Sequence, residues 1–404
     1  MQNLSELHFQ LFFDNSPQIA VLRYTDMFLP LCRVLKLPKS FCKFATLSIG
    51  RMDFIENIEL SGDSLCRIPV VAGPCSAETS EQCMATAKAL AALGVRAFRA
   101  GLWKPRTKPN CFEGVGAEGL AWLTAVRRET GMAVMSEVAT PVHVEEALSA
   151  GLDALWIGAR TTTNPFAVQE IADALRGVEI PVFVKNPVTP DLALWIGAIE
   201  RLSNAGVKEI AAVHRGFADY ANGRYRNNPQ WTIPIDLRRE MPAIPILCDP
   251  SHIGGRREAV EPLCRQAVDL GFDGLFVEAH IAPDEALSDS RQQITPQMLG
   301  TILGRLVLRD GATTEGQMIR FRSEIDAIDA ALLDLLARRM EVSRQIGRYK
   351  RSRNVAVLQS DRYAEVVARF VEGAKSAGMD EQFIKKIVGA IHEESVRQQL
   401  EKEE

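Results

Sequence analysis

Eight apolar runs in the sequence each end on a residue that can hold a metal ion or an anion. The residues at or just past the ends of these runs are Cys75, Arg99, Glu137, Arg160, Lys185, Arg215, His252 and Glu278. Thiols, imidazoles and carboxylates are ligands of divalent metals, and guanidinium and ammonium groups bind phosphates and carboxylates. The pattern therefore predicts a metal ion and anionic ligands at the ends of the runs.

The elements that would position these residues alternate between strand-like and helix-like. The apolar runs occupy residues 68–73, 95–99, 132–137, 154–160, 181–186, 210–216, 245–252 and 274–280. Five runs follow a helix-like stretch that closes on a glycine, the usual residue where the chain turns left-handed after a helix. These glycines are Gly94, Gly131, Gly151, Gly206 and Gly271. Eight such units predict an α/β fold, a (β/α)8 barrel with its active site at the C-terminal ends of the strands.

Four residues are candidate ligands of one divalent metal ion. They are Cys75, His252, Glu278 and Asp289. A thiolate, an imidazole and two carboxylates suit a borderline cation such as Mn²⁺, Fe²⁺, Co²⁺ or Zn²⁺. Barrel closure brings the first strand beside the last two, so ligands far apart in sequence can converge. The alternative is that Cys75 is a core thiol and His252 a hydrogen-bonded loop residue.

Six cationic residues also fall at or just past the predicted strand ends. They are Arg99, Lys104, Arg106, Arg160, Lys185 and Arg215. Six cations in one barrel mouth would repel each other without anionic ligands, so we expect a pair of phosphorylated small molecules. The alternative is that these residues are scattered surface charges.

The composition fits a soluble enzyme that acts on small molecules. The chain has 404 residues, with 47% hydrophobic and 24% charged residues and a formal net charge of −4. This balance gives no indication of nucleic-acid or membrane binding, and no stretch holds the ~18 apolar residues that a membrane helix needs. The eight cysteines lack CxxC spacing, so we expect reduced thiols in a cytoplasmic protein.

We expect four segments along the chain. Residues 1–51 read as an irregular extension, and Met52 reads as an ordinary protein start, so our hypothesis is that the natural chain begins at Met52. The barrel would occupy residues 52–308 and a hinge residues 309–314. Residues 315–404 show helical spacing of apolar residues and predict an all-α domain. A domain of about 90 residues is small for an independent core, so we expect it to dimerise.

The barrel segment resembles a known family. The motifs that carry the resemblance are AGPCS at 72–76, FRAGLWKPRT at 98–107, IGART at 157–161, DPSHIGGRR at 249–257 and EALSD at 285–289. They are similar to those of 3-deoxy-7-phosphoheptulonate (DAHP) synthase, which opens the shikimate pathway. The resemblance implies the condensation of phosphoenolpyruvate with erythrose 4-phosphate.

The resemblance also implies roles for individual residues. The metal ion would be bound by Cys75, His252, Glu278 and Asp289. Phosphoenolpyruvate would be bound by Arg99, Arg160, Lys185 and Arg215. Lys104 would lie between both substrates, while Arg106 and Thr107 would bind the aldose phosphate. Glu137 would line the same pocket and handle the water that adds.

A related family shares the barrel and much of the phosphoenolpyruvate site. This family, 3-deoxy-octulosonate 8-phosphate synthase, carries an ANR-type sequence where this chain has the KPRT sequence of residues 104–107. KPRT favours the four-carbon aldose phosphate. The alternative interpretation is an octulosonate-synthase-like barrel with a non-catalytic helical module for dimerisation or regulation.

The helical segment resembles the all-α chorismate mutase family, which rearranges chorismate to prephenate. The matching positions are Arg322, Arg339, Lys350, Arg362, Ser395 and Gln399. The resemblance implies that Arg322 and Arg339 bind carboxylates and that Lys350 and Gln399 bind the ether oxygen. Two positions depart from the family, since Tyr363 replaces the usual Glu and Gln359 a common Asp, which weakens the expected contact with the substrate hydroxyl.

Helical geometry predicts that the mutase site is shared between two chains. At ~100° per residue, Arg339 and Lys350 lie within roughly 20° of one another on one helix face. Arg322 lies about 100° away from Arg339 on the same helix, so we expect it to reach the site of a partner subunit. We therefore expect an intertwined homodimer, with a higher oligomer left open. A further hypothesis is that the helical domain binds chorismate or prephenate and thereby inhibits the barrel.

Overall fold

The computed structural model describes residues 68–104, 112–218, 224–306, 316–357 and 360–400. The chain divides into two compact units, and the division falls between Arg309 and Asp310. In the described residues, the first unit contains eight strands with their connecting helices, and the second contains helices alone.

The strands of the first unit form a closed parallel barrel. They are β1 (Val70–Gly73), β2 (Ala97–Arg99), β3 (Ala133–Val138), β4 (Ala154–Ile157), β5 (Val182–Lys185), β6 (Ile210–His214), β7 (Ile246–Cys248) and β8 (Gly274–Glu278). Each strand pairs in parallel with the next, and β8 pairs with β1. The strands are continuous apolar runs because both of their faces are covered, which is typical of parallel sheets. The predicted (β/α)8 barrel is confirmed.

Helices connect the strands on the outside of the barrel. They are α1 (Ser80–Ala91), α2 (Glu118–Thr130), α3 (Pro141–Ser149), α4 (Ala159–Thr162), α5 (Pro165–Ala174), α6 (Leu192–Ala205), α7 (Thr232–Glu240), α8 (Pro250–Gly254), α9 (Val260–Asp269) and α10 (Pro296–Arg305). Gly131 and Gly206 cap α2 and α6 in the left-handed conformation, with φ of 69° and 100°. The predicted role of glycine at these helix ends is therefore confirmed.

Side chains from alternate strand positions fill the barrel interior. Trp156, Phe183 and Phe276 are fully buried there, and the Trp156 and Phe276 rings meet edge to face with centroids 5.6 Å apart. Such aromatic contacts add to the hydrophobic gain of burial. This aromatic layer forms a rigid floor beneath the C-terminal ends of the strands.

The second unit consists of one long helix and two shorter ones. They are α11 (Gly316–Ser352), α12 (Ser360–Ser376) and α13 (Glu381–Leu400). A small core of Ala374, Ile384 and Val388 joins α12 to α13. Apolar side chains on the first half of α11 are 52% to 60% exposed, namely Phe321, Ile325, Ile328, Leu332 and Leu335.

No described helix in either unit has the length and apolar character that crossing a bilayer would require.

Candidate active site

The functional side chains converge because parallel strands in a closed barrel all end on the same rim. Arg99 is the last residue of β2, Lys185 of β5 and Glu278 of β8. Glu137 lies one residue before the end of β3, and Cys75 follows β1 by two residues. The active site of such a barrel is formed at this rim.

Three of the four predicted metal ligands form one cluster. The Sγ atom of Cys75 and carboxylate oxygens of Glu278 and Asp289 all lie within 4.8 Å of one another. The thiol of Cys75 donates a hydrogen bond to Asp289 Oδ2 at 3.4 Å. Asp289 has a φ of 47°, in the left-handed region, which directs its carboxylate back toward β1 and β8 at some backbone cost.

His252 lies at the edge of this cluster. Its Nε2 is 3.7 Å from Glu278 Oε1, and its Nδ1 is 2.7 Å from Asp249 Oδ2. A carboxylate on one imidazole nitrogen orients the other nitrogen as a ligand, which is the usual arrangement around metal-binding histidines. Asp249 also accepts a hydrogen bond from the backbone N–H of His252 at 3.0 Å and thereby caps α8.

The donor set of the cluster fits a borderline divalent cation. Burial, together with the charges of Glu278 and Asp289, raises the pKa of the Cys75 thiol to about 12. His252 is buried enough that its pKa is lowered despite the neighbouring Asp249, which keeps its imidazole neutral. A neutral imidazole, two carboxylates and a thiol that loses its proton on binding are the ligands that Mn²⁺, Fe²⁺, Co²⁺ or Zn²⁺ accept.

Residues that the sequence did not single out hold the two carboxylates in place. Gln292 Nε2 donates to Glu278 Oε2 at 2.6 Å, and Arg226 Nη1 donates to Asp289 Oδ1 at 2.8 Å. Arg226 also donates to Gln292 Oε1 at 2.7 Å, so the two contacts form one network. These residues come from loops far from the strand ends in sequence, and no spacing signal in the chain identifies them.

Arg99 has buried hydrogen-bond donors that lack a partner in the described part of the chain. Its Nη2 pairs with Glu278 Oε1 at 3.2 Å, but its Nε and Nη1 have no partner. The side chain is fully buried, and its guanidinium lies 4.9 Å and 4.7 Å from the centroids of Trp156 and Phe276. Leaving charged donors buried and unpaired is costly, so the arrangement favours an anion as the missing partner.

Two buried ion pairs flank Arg99. Lys185 Nζ lies 2.8 Å from Asp249 Oδ2, and Lys104 Nζ lies 3.4 Å from Glu137 Oε2. Burial alone would raise the pKa of Glu137, but the charges of Lys104 and Lys185 outweigh burial and hold that pKa below its ordinary value. Glu137 is therefore an ionised carboxylate at the centre of a cationic rim.

The other residues that were predicted to bind anions differ in their burial and contacts. Arg215 Nη1 donates to Asn227 Oδ1 at 2.8 Å, and burial lowers the pKa of Arg215 to about 10, so it stays charged at neutral pH. Arg160 is exposed on α4, and its charge acts on Arg215. Arg106 and Thr107 lie outside the described residues.

The second unit encloses a cavity of about 460 Å³ between its three helices. The cavity is lined by five of the six predicted mutase residues, namely Arg339, Lys350, Arg362, Ser395 and Gln399. Arg322 is exposed and is not part of this lining. Gln359 lies outside the described residues.

Hydrogen bonds position the cavity side chains. Arg339 Nη1 donates to Ser395 Oγ, which joins α11 to α13. Lys350 Nζ donates to Val357 O at 2.6 Å. Gln399 Oε1 is buried without a partner among the described residues. The close approach of α11 to α13 requires Gly347, since a Cβ there would come within 2.8 Å of the Gln399 backbone.

The cavity also contains residues that the sequence reasoning missed. Arg369 and His392 line it, and the His392 ring lies 4.2 Å from that of Tyr363, centroid to centroid. Its described lining contains four cations of Arg and Lys and no carboxylate. Helical spacing could have identified both residues, because Arg369 follows Arg362 by two turns and His392 precedes Ser395 by one.

Together, the closed parallel barrel and its rim of candidate metal ligands and cationic side chains place the chain among the (β/α)8-barrel enzymes. A family model described as the DAHP synthetase I family matches residues 56–308, and the chain belongs to this family. The model described as chorismate mutase type II matches residues 321–400, in the helical unit.

Two relatives match the chain over more than half of its length. Phospho-2-dehydro-3-deoxyheptonate aldolase of Thermotoga maritima is 35% identical over 225 residues, covering 56% of this chain and 64% of that protein. The 2-dehydro-3-deoxyphosphooctonate aldolase of Desulfatibacillum aliphaticivorans is 31% identical over 260 residues, covering 59% of this chain and 90% of that protein. The match therefore spans less than two thirds of the Thermotoga relative's length.

The solved structure of the Thermotoga maritima DAHP synthase is similar in fold. Its TM-score is 0.54 at 33% identity, covering 58% of this chain and 67% of that chain.

Proposed function

We propose that the chain is a bifunctional enzyme of aromatic biosynthesis. The barrel condenses phosphoenolpyruvate with D-erythrose 4-phosphate to 3-deoxy-D-arabino-heptulosonate 7-phosphate, and the helical domain rearranges chorismate to prephenate. The observation that carries the first activity is the buried Arg99, whose Nε and Nη1 have no partner among the described residues. Its guanidinium and the Lys185 ammonium both lie against the Phe276 ring. The domain boundaries that we propose are residues 52–308 and 315–404, joined by a hinge at 309–314.

The cationic rim binds phosphoenolpyruvate. Arg99 and Lys185 bind it from within the barrel, where the aromatic floor of Trp156 and Phe276 excludes water and strengthens each charge contact. Arg215 and Arg160 bind it from the outer side of the rim. These groups hold the anion in place before the second anionic substrate arrives, which offsets the repulsion between the two.

The enol double bond of phosphoenolpyruvate opens to form a bond with the aldehyde carbon of the sugar phosphate, and the aldehyde oxygen takes up a proton to become a hydroxyl. Water adds to the neighbouring carbon, and loss of inorganic phosphate from that carbon leaves a ketone. Lys104 lies between the two substrates, and Glu137, held ionised by Lys104, accepts the proton of the attacking water. Arg106 and Thr107 of the KPRT segment bind the aldose phosphate.

Cys75, His252, Glu278 and Asp289 hold one divalent metal ion. When bound there, the ion supplies Lewis-acid chemistry for the aldehyde oxygen. Asp249 keeps the His252 imidazole turned toward the cluster, while Arg226 and Gln292 keep the carboxylates facing it.

The choice of aldose phosphate separates this proposal from its rival, the octulosonate synthase reaction with a non-catalytic helical module. Relatives of both kinds match the chain at similar identity, 35% and 31%. The test is phosphoenolpyruvate consumption by the full chain with erythrose 4-phosphate and with arabinose 5-phosphate. We expect turnover with the four-carbon sugar and little with the five-carbon sugar, and the reverse preference would establish the rival.

The helical domain binds a dianion with Arg339, Lys350 and Arg362, and Gln399 meets its ether oxygen. A pericyclic rearrangement needs no acid, base or nucleophile, so a cationic cavity without a carboxylate in its described lining is sufficient for it. The exposed apolar residues of α11 recur at intervals of four and three, which is the spacing of a seam between two helices. We infer that a second copy of the chain covers this seam and contributes its Arg322 to the site.

We further propose that the helical domain regulates the barrel by binding chorismate or prephenate, and that the enzyme acts in the cytoplasm. The four described cysteines are free thiols, which suits a reducing compartment. Deletion of residues 309–404 tests the regulation, since inhibition of phosphoenolpyruvate consumption by prephenate should disappear. Inhibition that persists unchanged in the shortened chain would overturn it.

A further inference from the structure

Three consecutive residues after β2 each contact the segment that contains β3 and the start of α3. The Leu102 N–H donates to Ser136 Oγ at 3.0 Å, and Lys104 Nζ pairs with Glu137 Oε2 at 3.4 Å. Between them, the Trp103 ring stacks on the ring of His143, with centroids 4.4 Å apart and planes 8° from parallel. The stack therefore lies beside the Lys104–Glu137 pair and joins the same two segments.

The backbone around Trp103 is already fixed on its other side. The Lys104 N–H donates to Glu113 O at 2.8 Å, and the Gly116 N–H donates to Leu102 O at 3.0 Å. These bonds hold the Leu102–Lys104 backbone against residues 113–116, but neither bond reaches β3 or α3. Among the three contacts to β3 and α3, the ring stack constrains orientation as well as distance, because aromatic pairs prefer a defined geometry.

His143 also closes the start of α3. Thr140 caps the helix by accepting from the His143 N–H at 3.3 Å, and His143 Nδ1 accepts from the Ala139 N–H at 3.3 Å. This resembles a capping box, with histidine in the place that Glu or Gln usually takes, except that the side chain accepts from the residue before the N-cap Thr140.

The first helix of the barrel shows that a glutamine is sufficient for this cap. In α1, Gln82 N–H donates to Thr79 Oγ1 at 3.0 Å, and Gln82 Oε1 accepts from the Glu78 N–H at 3.2 Å. The two arrangements use equivalent positions along the chain, although the acceptor is a ring nitrogen in His143 and an amide oxygen in Gln82. The cap of α3 therefore does not require an aromatic ring, but the stack on Trp103 does.

The protonation state of His143 suits both of its contacts. Burial lowers its pKa, although Glu146 on α3 and Glu137 on β3 act in the opposite direction. The imidazole is then neutral at pH 7, with Nδ1 free to accept and the ring free to stack.

We propose that the Trp103–His143 stack is a positioning device that holds Lys104 in register with Glu137 at the base of the KPRT segment. The role rests on the proposed synthase function of the barrel. Neither ring touches the described metal cluster, so both are positioning residues. Losing the stack should displace Lys104 and the aldose phosphate side of the site, while Arg99 and Lys185 keep the phosphoenolpyruvate side intact.

Two substitutions separate the stack from the cap. His143→Gln keeps an acceptor for the Ala139 N–H and removes the ring, so we expect normal thermal stability and a roughly tenfold loss of kcat/KM for the aldose phosphate. The KM for phosphoenolpyruvate should change much less, because Arg99 and Lys185 also bind that substrate. His143→Phe keeps a ring and removes the acceptor, so we expect nearly normal kinetics and a lower Tm. Trp103→Leu should match His143→Gln, and the double variant should lose no more than either single variant.

The matched control is Trp122→Phe, which alters a partly buried tryptophan on α2 that is not part of the Trp103–His143 stack. The opposite pattern, with His143→Phe impaired in kinetics and His143→Gln normal, would overturn the proposal. Additive losses in the double variant would also overturn it.

Hydrogen exchange gives a readout that does not depend on activity. The amides of residues 102–104 should exchange faster in His143→Gln than in the wild type, while those of α3 should be unchanged. Equal exchange of residues 102–104 in both proteins contradicts the positioning role. If the wild type turns over neither aldose phosphate, the proposed synthase function is wrong. The exchange result would then still test whether the stack positions residues 102–104.

Discussion

At the scale of single residues, the barrel rim depends on charges that are buried before any substrate arrives. Arg99 is the extreme case, because one of its nitrogen atoms is paired with Glu278 while two have no partner in the described chain. A bound anion would satisfy the two donors and neutralise the charge. We therefore expect Arg99 to contribute most when the proposed substrate, phosphoenolpyruvate, is bound.

Arg99→Lys should raise the KM for phosphoenolpyruvate by roughly 10- to 100-fold, since the charge remains but the two unpaired donors are lost. Steady-state kinetics with erythrose 4-phosphate held saturating measure this effect. Arg176→Lys, in an exposed pair with Asp173, is the matched control and should change nothing. An unaltered KM in Arg99→Lys would show that the buried donors serve the fold alone.

The protonation of the Cys75 thiol gives a second prediction at this scale. Its pKa is raised to about 12, so at pH 7 the metal-free thiol is protonated and must lose its proton when it binds a metal ion. Titration calorimetry with Mn²⁺ in buffers of different ionisation enthalpy should show release of about one proton per ion. Cys75→Ser should bind more weakly and release none. Proton release that is equal in both proteins would exclude the thiol as a ligand.

At the scale of elements, the strand ends were predictable from sequence and the supporting loops were not. Buried parallel strands are mostly apolar, so a charged residue at the end of such a run is easily recognised, as with Lys185 and Glu278. Arg226 and Gln292 act through side-chain contacts between distant loops, and such contacts leave no periodic signal. The strand lengths were less predictable, because β2 and β7 are three residues each within longer apolar runs.

The junction of β7 and α8 depends on Asp249. This residue caps α8, orients His252 and pairs with Lys185. Asp249→Asn should retain the cap but lose the orientation of the imidazole, so we expect metal affinity to fall by roughly 10- to 100-fold. Calorimetric titration with Mn²⁺ measures the change.

Asp191→Asn is the control for this substitution, because Asp191 caps α6 in the same way and lies outside the metal cluster. Metal affinity that is equal in Asp249→Asn and Asp191→Asn would contradict the orienting role of Asp249.

The helices of the second unit support a separate prediction. Arg339 joins α11 to α13 through Ser395 and lines the cavity, so Arg339→Ala should abolish chorismate turnover and leave phosphoenolpyruvate consumption unchanged. Arg348→Ala, on the same helix but outside the cavity lining, should leave both activities intact. Chorismate loss followed by absorbance distinguishes the two variants, and full turnover by Arg339→Ala would exclude this cavity as the site.

At the scale of the whole molecule, the sequence predicted a barrel followed by an all-α region, but it could not establish the oligomeric state. Periodicity identifies the apolar face of α11 without showing whether the same chain or another one covers it. The exposure of Phe321, Ile325 and Leu332 favours a second copy.

Mixed dimers test the shared mutase site. Arg322→Ala and Arg339→Ala homodimers should both lack chorismate turnover. Co-expression should restore it, because a mixed dimer has one cavity with an intact Arg339 and an Arg322 from the partner. No recovery in mixtures that contain the mixed dimer, as measured by native mass spectrometry, would mean that Arg322 serves its own chain.

The most direct measurement for the whole account is phosphoenolpyruvate consumption before chelation, after chelation and after re-addition of Mn²⁺, Fe²⁺, Co²⁺ or Zn²⁺. With erythrose 4-phosphate present, we expect chelation to abolish consumption and at least one of these ions to restore it in the wild type but not in Cys75→Ser. Consumption that continues undiminished in the fully metal-free protein would contradict the account.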